Sequence, residues 1–435
     1  MSVRRYALET LIDVCDNGAF ANLSLKDGMQ GLSIDEKKWV SALIYTTLDH
    51  LELIDYYISC FAKGRVQAKT RGILRLGICQ IMFMRTPVSA ACNESVKLTK
   101  EIGKTTLSSY VNAVLRAVGR AAENDDLPLL PADPVEKLHI RYGYPLFLIK
   151  EYLTQYGADF TEALLSCKQH GMTIRAQYPF SPDELEKVLK ERGYAYRRGN
   201  LVDDAFHLDK GLELANEKRF IDGMITVQSE SAMLVCRAVD TNKGKILDAC
   251  SAPGGKTAYL SSLAQGENEI IAWELHPHRI ELLNNTLNRL NVHNARAELH
   301  DATVHDPALE SSMDAVLLDV PCSGLGLPDK PDIRYRVTDE SIRSLCEVQR
   351  SILESCCSYV KPGGTLVYST CTISRRENED QILDFLKRHH EFKSVSLSPY
   401  LPESLAKQGE NGMMQLFPHL HGTEGFFIAK VEKSL

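Results

Sequence analysis

Residues 246–257 read Ile-Leu-Asp-Ala-Cys-Ser-Ala-Pro-Gly-Gly-Lys-Thr, and the predicted fold is organised around this stretch. A short apolar run that ends at Asp248 predicts a buried strand, and the Pro-Gly-Gly turn after it predicts the start of a helix. Glycines there lack the Cβ atoms that would keep a ligand away from the backbone and the helix N-terminus. The stretch therefore indicates a strand-to-helix turn below a ligand, although a turn that serves packing alone has the same pattern.

Strands and helices alternate from Lys245 onward. This alternation predicts a parallel, doubly wound α/β sheet of the Rossmann-like kind, in which ligands bind at the carboxyl ends of the strands. The predicted strands cover residues 246–249, 269–273, 296–299, 315–319 and 365–369, and the longest predicted helix covers 340–360.

Acidic residues stand at or just after the ends of these strands, at Asp248, Glu274, Asp301 and Asp319. Glu274 lies 20 residues beyond Gly254, a spacing at which an acid can bind a ribose hydroxyl. The turn has neither the glycine pattern of a dinucleotide site nor that of a P-loop. A nucleoside ligand without phosphates fits better, and S-adenosylmethionine is the cofactor that we expect.

Two cysteines follow neighbouring predicted strands, Cys322 in Asp-Val-Pro-Cys-Ser-Gly and Cys371 in Ser-Thr-Cys-Thr. A thiolate that adds to carbon 6 of cytosine makes carbon 5 nucleophilic enough to accept a methyl group, and a second thiol can assist release. Asp319 could hold nitrogen 3 of the base, and Lys256 could favour the thiolate. Alternatively, either cysteine alone could be a buried structural thiol.

Residues 2 to about 120 show helical periodicity throughout and predict an all-α domain, with helices expected over 51–61, 74–84, 90–102 and 108–120. Although the whole chain carries a net charge of −7, residues 63–120 contain eleven basic residues against two acidic ones, a net charge of +9. Such a surface favours binding to a polyanion, although a solvated helical face has the same composition. The basic residues are Lys63, Arg65, Lys69, Arg71, Arg75, Arg85, Lys97, Lys100, Lys104, Arg116 and Arg120.

The acidic, proline-rich stretch 121–134 is typical of a linker, and residues 138–169 are expected to be helical. A small β-α-β piece follows, with strands over 173–177 and 194–198 and a helix over 182–192 whose N-terminus has a capping box at Ser181 and Glu184. Basic and aromatic side chains on this piece could bind phosphates and stack on bases, or could be ordinary sheet packing. These side chains are Arg175, Arg197, Arg198, Tyr178, Tyr194 and Tyr196.

Three phrases in the helical half, at 71–81, 93–100 and 110–116, resemble the NusB-type RNA-binding domain, whose arginine-rich surface meets RNA. The two cysteine motifs and the 252–256 turn resemble the RNA cytosine-5-methyltransferase superfamily. With the helical domain in front, the chain is similar to its Sun/RsmB (Fmu) branch, which methylates bacterial small-subunit ribosomal RNA.

The resemblance implies that Cys371 forms the covalent bond to cytosine and that Cys322 assists product release, with Asp319 and Lys256 beside them. It also implies the residues that bind the cofactor, namely Ala252, Pro253, Gly254, Gly255, Lys256, Glu274, Asp301 and Asp319. Three further phrases resemble family segments that are expected to line the RNA or substrate cleft, at 330–334, 375–378 and 425–427.

The chain departs from the family pattern at Val320, where alanine is usual, at Glu274, where aspartate is usual, and at Gln177, where asparagine is common. A glutamate keeps the hydroxyl acceptor and moves it one methylene outward. None of the three changes removes a reacting group.

Composition sets the remaining expectations. A chain of 435 residues with 44% hydrophobic and 25% charged residues is typical of a globular protein with several domains. We predict a NusB-like domain over 1–125, a helical linker with a small α+β subdomain over 126–224 and a methyltransferase domain over 225–435. The twelve cysteines include no C-x-x-C pair, so we expect no metal, and the sequence contains no apolar stretch of bilayer length.

We accordingly expect a cytoplasmic monomer that acts on ribosomal RNA and does not associate with membranes. Two alternatives stay open from the sequence. One is a cytosine-5 methyltransferase that acts on DNA or tRNA. The other is a non-catalytic RNA-binding or antitermination-like protein.

Overall fold

The computed structural model describes residues 2–29, 31–168, 171–209, 211–212, 214, 216–241 and 244–435. The chain forms two compact units. Unit 1 comprises Met1–Ser166 and Asp329–Thr338, and unit 2 comprises Cys167–Pro328 and Asp339–Leu435. The three domains that the sequence predicts stay a prediction.

Unit 1 is helical. Its helices are α1 (Val3–Asp16), α2 (Ala21–Gly28), α3 (Ile34–Asp49), α4 (Leu51–Phe61), α5 (Ala68–Met82), α6 (Val88–Glu101), α7 (Ser108–Glu123), α8 (Pro134–Tyr142), α9 (Leu146–Tyr156) and α10 (Ala158–Ser166). The all-α prediction is confirmed, and α4 has the predicted bounds. The helical prediction for 138–169 is divided into α8, α9 and α10, because Gly143 and Gly157 adopt positive φ angles that end α8 and α9, while Gln169 lies outside the described residues.

Helix α5 is the centre of unit 1, as its apolar sequence predicts. Its residues from Gly72 to Gln80 are all buried. Gly77 permits the close packing of α7, since a Cβ atom there would lie 2.7 Å from Leu115 Cδ2. Helix α5 is therefore enclosed by neighbouring helices and does not lie on the surface of unit 1.

Residues 329–338 belong to unit 1 although they lie between two elements of unit 2 in the sequence. Arg334 is 6% exposed and donates to Asp49 Oδ1 at 3.1 Å and to the Tyr142 carbonyl at 3.1 Å. The Tyr335 hydroxyl donates to the Leu48 carbonyl at 2.6 Å. Since Asp332 and Arg334 are buried within unit 1, the expectation that 330–334 lines an open cleft is wrong for these two side chains.

Unit 2 begins with a four-stranded antiparallel sheet in the order β2-β3-β1-β4. Its elements are β1 (Met172–Ala176), α11 (Pro182–Glu191), β2 (Tyr196–Arg198), β3 (Ala205–Leu208), α12 (Lys218–Ile221) and β4 (Ile225–Val227). The predicted capping box of Ser181 and Glu184 is present at the start of α11. The predicted β-α-β piece is confirmed, with β3 and β4 added to it.

The larger sheet of unit 2 has the order β10-β12-β9-β8-β5-β6-β7, with β11 paired to β12. Its strands are β5 (Lys245–Asp248), β6 (Glu269–Glu274), β7 (Ala295–Leu299), β8 (Met313–Asp319), β9 (Val360–Thr370), β10 (Phe392–Ser394), β11 (Met413–Leu416) and β12 (Phe426–Lys433). Its helices are α13 (Glu230–Ala238), α14 (Gly255–Leu263), α15 (Pro277–Arg289), α16 (Asp339–Cys357), α17 (Glu379–Arg388) and α18 (Pro418–His421).

All five predicted strands of this sheet are present and mutually parallel, from β7 to β9. The parallel part of the sheet ends at β9, because β12 pairs antiparallel with β9 and carries β10 and β11 antiparallel to itself. The sequence did not predict these three strands. Within the described residues, no helix is both long and apolar enough to span a bilayer.

Candidate active site

The register of the parallel strands brings the predicted site residues to one edge of the sheet. Asp248 in β5 lies beside Leu317 in β8, and Asp319 at the end of β8 lies beside Ser369 in β9. The loops that carry Cys322 and Cys371 leave these adjacent strand ends. This arrangement follows from the topology, since the carboxyl ends of neighbouring parallel strands meet at the same edge.

The 252–256 turn joins β5 to α14. Gly254 has a φ of +104°, and a Cβ atom there would lie 2.9 Å from Leu283 Cδ1, so this position requires glycine. A Cβ atom on Gly255 would meet no atom within 4 Å. The backbone at the start of α14 is therefore open beside Gly255, as the sequence predicts for a turn below a ligand.

A cavity of about 260 Å³ lies at this edge of the sheet, within unit 2. Four residues that were predicted to bind the cofactor line it, namely Ala252, Glu274, Asp301 and Asp319, together with both predicted catalytic cysteines, Cys322 and Cys371. Among the described residues of the turn, Pro253, Gly254, Gly255 and Lys256 are not part of this lining. Its volume is near the lower end of the roughly 300–1,000 Å³ that small-molecule sites occupy.

Two carboxylates that line the cavity, those of Glu274 and Asp301, are held in place by neighbouring groups. Glu274, 3% exposed, accepts a hydrogen bond from the backbone N–H of His276 at 3.1 Å and pairs with Arg279 at 3.3 Å. Asp301 Oδ1 accepts from the Thr303 backbone N–H at 2.9 Å and hydroxyl at 2.7 Å, and these bonds lower the pKa of Asp301. Both side chains present hydrogen-bond acceptors to the cavity.

Arg279 was missed by the sequence reasoning. Its guanidinium also donates to the Ala252 carbonyl at 3.0 Å, so it connects the 252–256 turn to Glu274. The available signal was its position in the first turn of a helix that begins at Pro277, three residues after the predicted acid Glu274. A basic residue there faces back towards the strand end.

Lys256 and Asp319 form a partly buried ion pair with a distance of 2.6 Å between Nζ and Oδ2. Asp319 Oδ1 accepts a second bond from the Ser369 hydroxyl at 2.8 Å. Burial alone would lower the pKa of the Lys256 ammonium, but the charge of Asp319 outweighs it, and the pKa is raised. Lys256 is therefore a fixed positive charge that holds the Asp319 carboxylate.

The sulfur atoms of Cys322 and Cys371 are 3.3 Å apart. The hydrogen bond between the two thiols, followed by burial, raises the pKa of Cys322 well above that of an ordinary thiol. Either thiol can donate this hydrogen bond to the sulfur of the other. The structure brings together the two cysteines that the sequence places 49 residues apart.

Cys250 also lines the cavity. Burial raises the pKa of Cys250 well above the ordinary value, so it is a neutral thiol. It lies in the wall as a small apolar side chain.

Two sequence interpretations outside the cavity need correction. Arg75 is buried and makes a bidentate pair with Asp55, with distances of 2.8 and 2.6 Å, so it is not part of an accessible basic surface. Arg175, in β1, is fully buried, with its Nε 2.6 Å from Gln228 Oε1 and its guanidinium over the Tyr259 ring. Arg198 is paired with Asp183 and Glu186.

Arg175 therefore cannot hold a phosphate, and the charge of Arg198 is already neutralised by acids. Arg197 remains exposed. Across the described residues, no group of three or more His, Cys, Asp or Glu side chains could hold a metal ion.

Comparison with known proteins places these features in a family. Residues 236–432 match the family described as 16S rRNA methyltransferase RsmB/F, and residues 1–120 match the NusB family. The chain is 35% identical to the probable ribosomal RNA small subunit methyltransferase B of Bacillus subtilis (strain 168), over 99% of both chains.

Two solved structures are also similar. The crystal structure of PH0851 is 25% identical and superposes with a TM-score of 0.80 over 100% of both chains. The structure of NSun6 from Pyrococcus horikoshii with SFG is 21% identical, with a TM-score of 0.58 over 67% of this chain and 98% of that one, and this likeness concerns the fold. The chain therefore belongs to the RsmB/F family of S-adenosylmethionine-dependent 16S rRNA methyltransferases, with a NusB-like helical domain at its N-terminus.

Proposed function

We propose that this enzyme methylates carbon 5 of a cytosine in 16S rRNA through a covalent adduct between Cys371 and carbon 6 of the base. The observation that carries the proposal is the pair of thiols, 3.3 Å apart, in the wall of a cavity that also exposes the Asp319 carboxylate. Two thiols are required by a reaction in which one sulfur attacks and the other assists elimination. A single buried cysteine would carry no such argument.

The cavity fits S-adenosylmethionine by the chemistry of its lining. Glu274 and Asp301 offer carboxylate oxygens to ribose hydroxyls and amino groups, and Ala252 brings the backbone of the turn to the same space. We propose the eight residues that the family resemblance implies as the binding set, with Arg279 holding Glu274 and the turn in position. When bound, S-adenosylmethionine supplies an electrophilic methyl group.

We assign the roles of the two cysteines from the family resemblance, which implies attack on carbon 6 by Cys371 and release assisted by Cys322. The contact between the two sulfur atoms supports a shared role in one reaction. Attack forms the sulfur–carbon bond and moves the electrons of the carbon 5–carbon 6 double bond towards carbon 5. After methylation, a base takes the carbon 5 proton to solvent, and the electrons of that C–H bond restore the double bond as the bond to Cys371 breaks with its electron pair on sulfur. Cys322 lies close enough to assist this release.

Asp319 is proposed to hold nitrogen 3 of cytosine. Its carboxylate is fixed by Lys256 on one oxygen and by Ser369 on the other, so its position is set before the base enters. Preorganised charge of this kind avoids reorganisation during the reaction. Lys256 acts through Asp319, and its positive charge is proposed to favour the thiolate form of Cys371.

The test uses small-subunit rRNA that contains 5-fluorocytosine, which has no proton to lose from carbon 5 and therefore traps the adduct. The wild-type chain and Cys322→Ala should form a protein–RNA adduct that survives denaturation, and Cys371→Ala should not. An adduct that is lost in Cys322→Ala but kept in Cys371→Ala would reverse the roles and match the DNA-enzyme pattern. Unmodified rRNA that binds but gains no methyl group would favour the non-catalytic alternative.

The same proposal includes the setting of the reaction. We propose that the exposed basic residues of unit 1 bind rRNA, that the enzyme is a monomer and that it acts in the cytoplasm. Analytical ultracentrifugation tests the oligomeric state. Bisulfite sequencing of rRNA from cells that lack the gene identifies the target, because the methylated cytosine then becomes convertible.

A further inference from the structure

Glu377 is a fully buried carboxylate between β9 and α17. Its Oε2 accepts hydrogen bonds from the Ser323 backbone N–H at 2.8 Å and from Gln349 Nε2 at 3.1 Å. Its Oε1 accepts from the Ser323 hydroxyl at 2.6 Å and from the Thr372 hydroxyl at 3.4 Å. Ser323 and Thr372 each directly follow one of the two cysteines, so one carboxylate contacts both cysteine loops.

This arrangement is unusual for a buried acid. In the part of the chain that the structure describes, no lysine or arginine pairs with Glu377, and burial raises its pKa. All four of its contacts are donors, so they are compatible with the ionised carboxylate and oppose that rise. Burying an acid without an opposite charge disfavours folding, and hydrogen bonds only partly offset this cost. The role of Glu377 therefore lies in the two loops that its carboxylate connects.

A second connection joins the same loops. The Gly326 backbone N–H donates to the Cys371 carbonyl at 3.0 Å, and the Gly425 N–H donates to the Gly326 carbonyl at 2.7 Å. A Cβ atom on Gly326 would lie 2.0 Å from the Gly425 carbonyl oxygen, so the loops approach as closely as backbones can. The Cys322 loop is thus attached at Ser323 by Glu377 and at Gly326 by the Cys371 carbonyl.

We propose that Glu377 is a positioning residue that fixes the separation of the two sulfur atoms by holding Ser323 and Thr372 together. The proposal rests on the proposed function, because it takes Cys322 and Cys371 as the reacting pair. Glu377 does not touch the cavity. It acts by keeping the second thiol beside the sulfur that attacks the base.

The structure also corrects part of the expectation that 375–378 and 425–427 line a cleft, although Arg375 is exposed. Glu377 and Asn378 are fully buried, and Phe426 and Phe427 are 4% and 0% exposed. Asn378 supports the same loop, with its Nδ2 3.0 Å from the Thr372 carbonyl oxygen. These residues lie beneath the two cysteines.

The test measures sulfur geometry separately from activity. Diamide oxidises two neighbouring thiols to a disulfide and takes up both protons and both electrons as it becomes the hydrazine, so the rate of Cys322–Cys371 bond formation reports how the sulfurs are held. Peptide mapping by mass spectrometry distinguishes this bond from others in the full-length enzyme. Glu377→Gln places an amide N–H₂ against donors and should slow disulfide formation by about tenfold or more, with a similar loss of kcat. The KM for S-adenosylmethionine should not change.

Glu217→Gln is the matched control, because Glu217 is also a buried carboxylate, but its partners are Arg192 and Arg219 of the smaller sheet region. It should leave the disulfide rate and kcat unchanged. Should Glu377→Gln unfold, Ser323→Ala removes only the hydroxyl contacts and should slow both steps by a smaller factor. Wild-type disulfide and methylation rates in whichever variant folds would overturn the proposal, and so would a slowed disulfide with unchanged kcat.

The outcomes separate the two proposals. If Cys371→Ala still traps 5-fluorocytosine RNA, the proposed catalytic roles fail. In that case, slow disulfide formation in Glu377→Gln would still show that this carboxylate holds the two sulfur atoms together. The proposal that Glu377 contributes to the reaction would nevertheless be overturned. If trapping behaves as expected and Glu377→Gln resembles the wild type, only the positioning role fails.

Discussion

Asp248 ends strand β5 with a carboxyl group that has no solvent exposure. Its Oδ2 accepts a hydrogen bond from the Thr257 hydroxyl at 2.7 Å, while its Oδ1 has no hydrogen-bond partner among the described residues. Burial, to which the charge of Asp319 adds, raises the pKa of Asp248 to about 7 despite the Thr257 bond. Asp248 therefore keeps its proton in the folded chain up to about pH 7, whereas the unfolded chain releases that proton near pH 4.

This shift predicts a pH dependence of stability. The folded chain holds the Asp248 proton more tightly than the unfolded chain between about pH 4 and pH 7, so this group's contribution to stability falls as the pH rises through that window. Between pH 5 and pH 8, the free energy of unfolding of Asp248→Asn should rise relative to wild type by up to about 2 kcal/mol. Urea denaturation at both pH values measures it, and a pH-independent difference would contradict the assignment.

The proposed reacting groups could be named from the sequence, whereas the groups that hold them could not. Cys322, Cys371, Asp319 and Lys256 could be named because each lies within a short motif at a strand end. Glu377 is separated from Ser323 by 54 residues, and no local pattern indicates that its carboxylate will reach the backbone there. Its pairing depends on the packing of two loops, which only the folded chain defines.

Helix α5 separates two arginines that the sequence treats alike. Arg71 is exposed, whereas Arg75, one turn later, is buried against Asp55. If unit 1 docks rRNA, Arg71→Gln should weaken RNA binding and reduce the slope of log K against log salt by about 1. Arg75→Gln should instead lower the stability of unit 1 and leave that slope unchanged. Filter binding across a salt series and thermal melts of both variants distinguish the two effects.

The start of helix α14 offers a second matched pair. Gly255→Ala adds a Cβ that meets no protein atom, so its Tm should stay near that of the wild type, while its affinity for S-adenosylmethionine should fall by about tenfold if the ligand approaches the backbone there. Gly254→Ala should lower the Tm, because of its φ of +104° and the contact with Leu283. Calorimetric titration and melts of both variants provide the measurement. Unchanged cofactor affinity in Gly255→Ala would remove Gly255 from the binding set.

For the helices and strands, the sequence predicted positions along the chain better than it predicted which strands pair and in which direction. Four of the five parallel strands were found because each is a short apolar run beside a helix. The other, β7, reads Ala-Arg-Ala-Glu-Leu and was found from its place in the alternation of strands and helices. Strand β12 was not expected, and its antiparallel pairing with β9 is not visible in its own residues, since strand direction is set by the connection and not by local periodicity. The helix bounds differ by a few residues for a similar reason, as capping depends on neighbouring backbone.

Over the whole molecule, the chain crosses from one unit to the other three times, because 329–338 returns to the helical unit before the chain resumes unit 2. Arg334→Ala removes the partner of Asp49 and the cation over the Tyr144 ring, and should destabilise the helical unit by about 3 kcal/mol. Amide hydrogen exchange of the full-length chain should accelerate around residues 45–52 and 138–144. If amide protection in these two segments stays at its wild-type level, residues 329–338 contribute little to the stability of unit 1.

The segment 329–338 also sets an order of events on the ribosome that makes the protein. Domains commonly fold as they emerge, N-terminal part first. Here the Arg334 guanidinium, which donates to Asp49 and to the Tyr142 carbonyl, is synthesised only after strands β5 to β8. A nascent chain that ends before residue 334 therefore has an incomplete helical unit. This unit is completed only after four of the five parallel strands and Cys322 have been synthesised.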